Sequence, residues 1–142
     1  MTRRIIGVGN RYVPEDSAGP RVIDLLARQA LPDGVEAIDG GLAGLDLLRF
    51  MEGARRVILV DTVTGFARPG EIVVLRPEEL SACSAARHDH AAGLTYLLKV
   101  LPAVLDGDLP RIRIVGLERP LPDDRLSEAA AVALALATDP AL

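Results

Sequence analysis

Aromatic residues and cysteine are scarce in this chain. Its 142 residues include no Trp, two Tyr, two Phe and one Cys, so aliphatic side chains must fill the core. The single cysteine, Cys83, has no second thiol in the chain with which to form a disulfide. We interpret it as a small buried or loop residue, because the sequence around it offers no basic environment that would activate a thiolate. A chain of this length buries a core without disulfides, and we expect one domain over residues 1–142.

An excess of basic charge is also missing. Sixteen Lys and Arg against twenty Asp and Glu give a formal net charge of −4. This charge provides no long-range attraction for a phosphate backbone, so we do not expect nucleic acid as a partner. No apolar run reaches the roughly 20 residues that a bilayer crossing requires, so we expect no membrane association. The start, Met1 to Arg4, leads into a strand pattern and not into the apolar stretch of a signal peptide, which favours a cytoplasmic protein.

Short apolar runs alternate with helical spacings along the chain. The central run, Arg56–Val60, lacks polar alternation, as is typical of a strand covered on both faces. The fourth strand follows a connection too short for a crossover helix, so we expect it to run antiparallel. The order of elements predicts a three-layer α/β/α sandwich with a mostly parallel five-stranded sheet and one antiparallel strand. The predicted strands are Arg3–Val8, Val35–Ile38, Arg56–Val60, Glu71–Leu75 and Arg111–Val115, and the predicted helices are Ser17–Leu31, Ala43–Met51, Asp89–Leu105 and an Ala-rich helix capped by Ser127.

Several local features accompany this prediction. The stretch Arg76–His88 is polar and is predicted to be irregular, and Asp89 is a plausible cap of the third helix. Pro102 is expected to end or bend that helix. The alternation of charged and β-branched residues in Arg111–Val115 predicts a strand that is half exposed or covered on one side only. Ser17, or the aspartate before it, can cap the first helix.

Three aspartates follow or end predicted strands. Asp16 lies a short loop after the first strand, Asp39 ends the second, and Asp61 directly follows the third. In an open parallel sheet, ligands bind outside the carboxyl ends of the strands, where the strand order reverses. If the order begins 2-1-3, Asp16 and Asp61 flank that point and their carboxylates repel each other. With His90 at the start of the third helix, a divalent cation would resolve the repulsion, and imidazole with carboxylate suits Zn or Ni.

Each of these residues also has a structural interpretation. Asp16 can serve only as a helix cap, Asp61 as a turn former, and His88 with His90 as a solvated pair in a loop. Other chemistries lack their motifs. A dinucleotide-binding fingerprint fails because Tyr12 replaces its third glycine. Asp61 is not followed by the glycine of an aspartic-protease loop, and no GxSxG elbow is present.

Five motifs lie in order along most of the chain. They are GVGNRYVPEDSAG (Gly7–Gly19), DGGLAG (Asp39–Gly44), VILVDTV (Val57–Val63), PGEIVVL (Pro69–Leu75) and HAAGL (His90–Leu94). In the opening motif a strand and a G-x-G-N turn precede an acidic pair, Glu15 and Asp16, followed by Gly19. Taken together, these motifs resemble the hydrogenase maturation proteases, and their order and spacing make the resemblance specific.

The resemblance implies a peptidase that removes a C-terminal extension from the large-subunit precursor of a nickel-iron hydrogenase after nickel insertion. It implies that Asp16, Asp61 and His90 bind the metal, which is nickel carried by the substrate, with Zn or Cd as substitutes in the isolated protein. It gives Asp39 a supporting or general-base role. The family commonly has Thr where this chain has Leu42, so a hydroxyl contact in that turn is missing, and the tail after Val115 is short. Substrate selection is expected to differ accordingly. We expect a monomer.

Two other functions compete with this interpretation. A peptidyl-tRNA hydrolase also opens with a G-x-G-N turn, but it needs a histidine and asparagine soon after that turn and a basic surface. This chain has Pro14, Glu15 and Asp16 there and a net negative charge. A non-catalytic module that binds the nickel-loaded large subunit without cutting it would carry the same metal-binding residues. Release of a peptide from the precursor distinguishes that module from a peptidase.

Overall fold

The computed structural model describes residues 2–42, 44–83, 90–120 and 123–141, and within these ranges the side chains of residues 45, 81–83 and 90–92 are not described. His88 and Asp89 therefore lie outside the described residues, as does the side chain of Cys83. Short 3-10 turns lie at Pro14–Asp16, Leu45–Leu47 and Asp123–Arg125. The strands are β1 (Thr2–Val8), β2 (Val35–Gly41), β3 (Ala54–Val63), β4 (Ile72–Leu75) and β5 (Arg111–Glu118), and the helices are α1 (Ala18–Leu26), α2 (Leu48–Met51), α3 (Pro77–Cys83), α4 (His90–Val104) and α5 (Leu126–Thr138).

The five strands form one sheet in the order β2-β1-β3-β5-β4. β1 pairs in parallel with β2 and β3, and β3 pairs in parallel with β5. β4 pairs antiparallel with β5 at the sheet edge. The predicted mixed sheet, its antiparallel fourth strand and the initial order 2-1-3 are confirmed. Strand order reverses next to β1, so the carboxyl ends of β1 and β3 meet beside a crevice that suits ligand binding.

Two apolar layers cover the sheet, one on each face. Side chains of successive strand residues point to opposite faces. On one face Ile5, Ile58 and Val60 pack with residues of α1 and α5, including Val22 and Ala133. On the other face Ile6, Val57, Leu59 and Ile114 pack with the leucines of α4, including Leu94 and Leu97. A polar side chain in a strand therefore faces the same helix layer as the apolar residues two positions before and after it. Among the described residues, no helix combines the length and apolar character needed to cross a membrane.

The predicted irregular stretch contains a helix instead. α3 begins at Pro77, and Glu78 and Glu79 follow in its first turn. The carboxylate of Glu79 accepts a hydrogen bond from the backbone N–H of Arg76 at 2.8 Å, which lowers the pKa of Glu79. Proline at the first helical position, acidic residues in the first turn and this side-chain hydrogen bond to the residue before the helix are all signals of a helix start. The prediction of an irregular stretch was wrong because it relied on the polar composition of residues 76–88 and not on these signals of a helix start.

The last strand also differs from its prediction. β5 extends to Glu118, and Ile114, Val115 and Leu117 are fully buried. β5 lies between β3 and β4, and both of its faces are covered, because Val115 and Leu117 pack in one apolar layer and Ile112 and Ile114 in the other. Only its first residue, Arg111, keeps an exposed side chain.

Several predicted helix boundaries and caps are wrong. The first helix ends at Leu26 and not near Leu31, and the second shortens to a 3-10 turn and the single-turn α2. Ser127 lies inside α5, whose N-cap is Arg125. Ser17 is the N-cap of α1, but its hydroxyl donates to the carbonyl of Pro14 at 2.9 Å and does not cap the helix. α4 continues through Pro102 to Val104, so Pro102 does not end the helix at its own position.

Candidate functional site

Glycines bring the loop after β1 close to the strand that it follows. Gly9 has φ +142°, and a Cβ there would overlap the carbonyl oxygen of Asp16. A Cβ on Gly7 would overlap the carbonyl oxygen of Gly19 in the first turn of α1. Backbone therefore packs on backbone at both positions, which only glycine permits. The consequence is that Asp16, at the end of the 3-10 turn, lies against the carboxyl end of β1.

The carboxylate of Asp16 is buried, with 4% of the residue exposed. Its Oδ2 accepts a hydrogen bond from the backbone N–H of Asn10 at 3.0 Å. Its Oδ1 accepts a longer one, 3.4 Å, from the hydroxyl of Thr62 on β3. These contacts orient the carboxylate across the crevice toward β3. Asp16 precedes Ser17, the N-cap of α1, so the interpretation of Asp16 as only a helix cap is not supported.

Asp61 lies inside β3 and not after it, two residues before the strand ends at Val63. It is 3% exposed, and its Oδ1 accepts a hydrogen bond from the backbone N–H of Thr62 at 2.8 Å. Because Val57 and Leu59 face the α4 layer, alternation places Asp61 on that same face. Asp61 therefore approaches the crevice from the α4 side, while Asp16 approaches it from the α1 side.

The two buried carboxylates interact electrostatically. Burial raises the pKa of Asp61 well above its usual value, and the negative charge of Asp16 raises it further. The hydrogen bond from Thr62 and the positive charge of Arg119 oppose this rise to a smaller extent. A proton and a cation bound here relieve the same excess of negative charge, so the two compete for this carboxylate.

His90 is the first residue of α4. Leu101 and Pro102, near the other end of the helix, line a small groove with Leu109 and Ile112 at the beginning of β5. α4 therefore ends at the amino edge of the sheet and begins at its carboxyl edge, the edge at which Asp16 and Asp61 lie. The imidazole itself is outside the described side chains. Among the side chains that are described, no three from His, Cys, Asp and Glu form a group that could hold a metal ion.

Asp39 reaches the same edge, at the end of β2, but its carboxylate has other partners. It accepts a 2.6 Å hydrogen bond from the guanidinium of Arg11 and a 3.0 Å hydrogen bond from the backbone N–H of Gly41. Arg11 also donates to Asp24 of α1, and hydrogen bonds with Asp24 and Asp39 raise its pKa above the usual range. Asp39 therefore joins the loops around the crevice, and it is not among the charges that act on Asp61.

Glu118 is a site-supporting residue that the sequence analysis did not identify. It is 4% exposed, and its carboxylate accepts hydrogen bonds of 2.8–2.9 Å from the backbone N–H groups of Gly65, Phe66 and Ala67. It thereby fixes the loop that follows β3, next to Asp61. The signal in the sequence was an acidic residue at the end of an apolar strand, the same pattern that identified Asp61.

Comparisons with known proteins agree with this architecture. A family model described as hydrogenase maturation protease matches residues 20–139. The Hydrogenase 2 maturation protease of Escherichia coli (strain K12) is 34% identical over 116 residues, which are 79% of this chain and 70% of that protein. The hydrogenase expression/formation protein HupD of Rhodobacter capsulatus is 34% identical over 114 residues, so the chain spans about half of that relative, 54% of its length.

The structural comparison extends over nearly the whole chain. The hydrogenase maturating endopeptidase HybD from E. coli has a TM-score of 0.80 and 29% identity, and the match covers 96% of this chain and 91% of that one. The two E. coli proteins are named as a protease and an endopeptidase, so the predicted enzyme class is confirmed at the level of the family. The chain therefore belongs to the hydrogenase maturation protease family.

Proposed function

We propose that this chain is an endopeptidase that removes a C-terminal extension from the large-subunit precursor of a nickel-iron hydrogenase after nickel has been inserted. The observation that carries the proposal is the convergence of two buried carboxylates, Asp16 and Asp61, at the carboxyl edge of the sheet where α4 begins. The relatives are named for the maturation of hydrogenases, which supplies the substrate class. We propose a monomer that acts in the cytoplasm.

Recognition of the loaded precursor is assigned to Asp16, Asp61 and His90, which would contact the nickel that the substrate carries. The donor set fits such an ion, because carboxylate and imidazole are ligands of Ni and Zn. After burial, the negative charge of Asp16 is the next cause of the raised pKa of Asp61, and a cation bound by both carboxylates would neutralise that charge. Three protein ligands leave coordination positions for ligands of the substrate. Zn or Cd would substitute in the isolated protein, and weakly, because those further ligands are then missing.

Hydrolysis requires the scissile peptide and a water molecule to be held together near this crevice. The chemistry that the substrate's metal supplies is polarisation of the scissile carbonyl or a lowered pKa of the attacking water. Asp61 holds its proton more tightly than an ordinary carboxyl group does, so that proton must leave before the carboxylate contacts the metal. Asp39 is assigned a supporting role, since its pairing with Arg11 links the end of β2 to the loop after β1.

The direct test is a cleavage assay on the precursor. We would incubate the protein with nickel-loaded large-subunit precursor, and separately with the nickel-free precursor, and detect the released C-terminal peptide by mass spectrometry. We expect release from the loaded precursor only. Stable binding of the loaded precursor without peptide release would contradict the proposal and favour a non-catalytic nickel-sensing module.

Site variants test the assigned residues in the same assay. We expect Asp16→Asn, Asp61→Asn and His90→Ala each to abolish processing, because each removes one metal contact, and to leave the circular dichroism spectrum unchanged. Asp46→Asn is the matched control, since Asp46 is an exposed acidic residue in the turn Leu45–Leu47. A site variant that processes the precursor at the control's rate would remove that residue from the metal-binding set.

A further inference from the structure

Arg119 brings a positive charge to the carboxyl edge of the sheet. It follows Glu118, the last residue of β5, and its backbone N–H donates to the carbonyl of Val63 at 3.1 Å. Since β5 is the neighbour of β3 and Gly116 is in register with Asp61, Arg119 lies just beyond the strand end beside the crevice. The residue is half-buried.

The guanidinium of Arg119 makes no ion pair and no side-chain hydrogen bond within the described part of the chain. Arg4 provides the contrast, because it is also half-buried, with 21% of its side chain exposed. Arg4 donates to the carboxylate of Glu36 and to the carbonyls of Phe50 and Glu52 at 2.9–3.0 Å. A half-buried guanidinium that binds none of its described neighbours keeps its five N–H donors and its charge available to the crevice.

The charge of Arg119 acts on the site carboxylates. Gly116 of β5 is in register with Asp61 and the backbone of Arg119 is bonded to that of Val63, so the charge of Arg119 lies beside the Asp61 carboxylate and acts on it with the sign opposite to that of Asp16. By the same Coulombic interaction, a cation arriving beside Asp61 is repelled by Arg119. Arg119 therefore reduces the attraction of the carboxylate pair for any metal ion, without occupying a ligand position.

We propose that Arg119 is a specificity-determining residue that prevents the Asp16–Asp61 pair from capturing free divalent ions, so that the pair binds a metal only when the substrate carries it. This inference rests on the proposed function and adds a selection step to it. A free aqueous ion gains two carboxylates and an imidazole but is repelled by Arg119. A metal delivered in the substrate gains the same ligands together with the contacts of the protein that holds it.

The test measures binding of free Zn²⁺ and Cd²⁺ to the metal-free protein by isothermal titration calorimetry. We expect Arg119→Gln and Arg119→Met to bind both ions about three- to tenfold more tightly than the wild type, the effect of removing one charge several ångströms from a divalent ion in a solvent-like dielectric. Arg119→Lys keeps the charge and should bind as the wild type does. The matched control is Arg111→Gln, which removes the same charge at the exposed beginning of β5, at the opposite edge of the sheet.

The direction of the change in metal affinity distinguishes an electrostatic role of Arg119 from a structural one. A residue with a merely structural role would weaken metal binding when replaced, whereas this role strengthens it. In the cleavage assay, added Zn²⁺ should inhibit Arg119→Gln at lower concentrations than it inhibits the wild type. Unchanged or weaker binding in both neutral variants would overturn the inference, while wild-type binding that survives in both Asp16→Asn and Asp61→Asn would instead overturn the proposed metal site.

Discussion

Asp61 is a buried acidic residue, and its burial lowers the free energy of unfolding of the protein. Its carboxyl group is 3% exposed, faces a second carboxylate and has one described hydrogen-bond donor, the backbone N–H of Thr62. A native structure selected for stability alone would place an apolar or neutral residue at this strand position, as it does at Val57 and Leu59. A buried carboxyl group at this position is therefore a candidate functional residue.

We predict that Asp61→Asn stabilises the metal-free protein and that the gain grows with pH. Below about pH 4, near the unfolded pKa of aspartate, both folded and unfolded Asp61 are protonated and the variant gains nothing. As pH rises, the unfolded chain ionises while burial keeps the folded carboxyl protonated, so the wild type loses stability up to the raised folded pKa. Each unit of the shift corresponds to about 1.4 kcal/mol. Urea unfolding at intervals between pH 4 and 8 measures the difference.

Asp46→Asn serves as the control for this pH series, because Asp46 is exposed. Its free energy of unfolding should differ from that of the wild type by a similar, small amount at every pH. If Asp61→Asn were less stable than the wild type at pH 8, the buried carboxylate would be satisfied by its surroundings and not strained by them.

The sequence predicted this pair of aspartates better than it predicted their surroundings. The order of apolar strands places any residue at the end of β1 or β3 at one crevice, so Asp16 and Asp61 could be predicted to meet. The partners of Glu118 and Arg119 could not be predicted in this way. They depend on how the loop after β3 folds across β5, and no periodicity in the sequence encodes a contact between a side chain and a distant loop backbone.

At the scale of elements, direct backbone contact between β1 and α1 positions Asp16. The contact needs glycine at Gly7 and Gly19, since a Cβ on either would overlap backbone oxygen atoms of the other element. The turn that carries Asp16 lies between Gly7 and Gly19 in the sequence, so these two contacts fix its position. Helix packing against the sheet and the position of the first carboxylate are therefore determined by the same residues.

We predict that Gly7→Ala destabilises the protein and reduces processing together. The new methyl group overlaps the carbonyl of Gly19 and the side chain of Ile23, so α1 must move away from β1, at a cost of about 1–3 kcal/mol. Gly44→Ala is the control, since a Cβ there has no atom within 4 Å, and its stability should change by no more than about 0.5 kcal/mol. Equal thermal stability of the two variants would show that the contact between β1 and α1 is looser than described.

The loop after β3 provides a second prediction at this scale. In Glu118→Gln one amide oxygen replaces two carboxylate oxygens, so at least one of the three backbone N–H groups of residues 65–67 faces an amide NH₂. We expect a loss of about 1–3 kcal/mol and faster hydrogen exchange at those amides. Glu71→Gln is the control, because Glu71 is exposed and accepts one hydrogen bond within the same loop, from Arg68. Exchange at residues 65–67 that is equally slow in both variants would contradict the role of Glu118.

Short-range sequence signals predicted helices and strands correctly wherever all of the signals of an element were taken into account. The apolar run of β3 and the leucine spacing of α4 were sufficient, because each pattern fits one structure only. α3 was missed although Pro77 and Glu79 carry the signals of a helix start. β5 was predicted to be half exposed because arginines alternate with apolar residues at positions 111 and 113. That pattern is typical of an exposed face, although the strand lies inside the sheet.

At the scale of the molecule, the candidate site joins the two helix layers. Asp16 is delivered from the α1 side of the sheet, Asp61 faces the α4 side, and α4 begins at His90 at the same edge. A metal ion bound by all three would connect both layers across the end of the sheet. Unfolding would then require loss of the ion, so binding must contribute to global stability and not only to local order.

We predict that Cd²⁺ or Zn²⁺ raises the melting temperature of the wild type and that the increase is larger at pH 8 than at pH 5. At ten times the dissociation constant the ion adds about 1.4 kcal/mol, or roughly 3–6 °C for a chain of this size. The pH dependence follows because the raised pKa of Asp61 means that a proton must leave before the cation binds. Asp61→Asn, though more stable without metal, should show no increase. Differential scanning calorimetry of both proteins, with and without the ion, measures the two melting temperatures. An equal increase in both proteins would mean that the metal binds at another site.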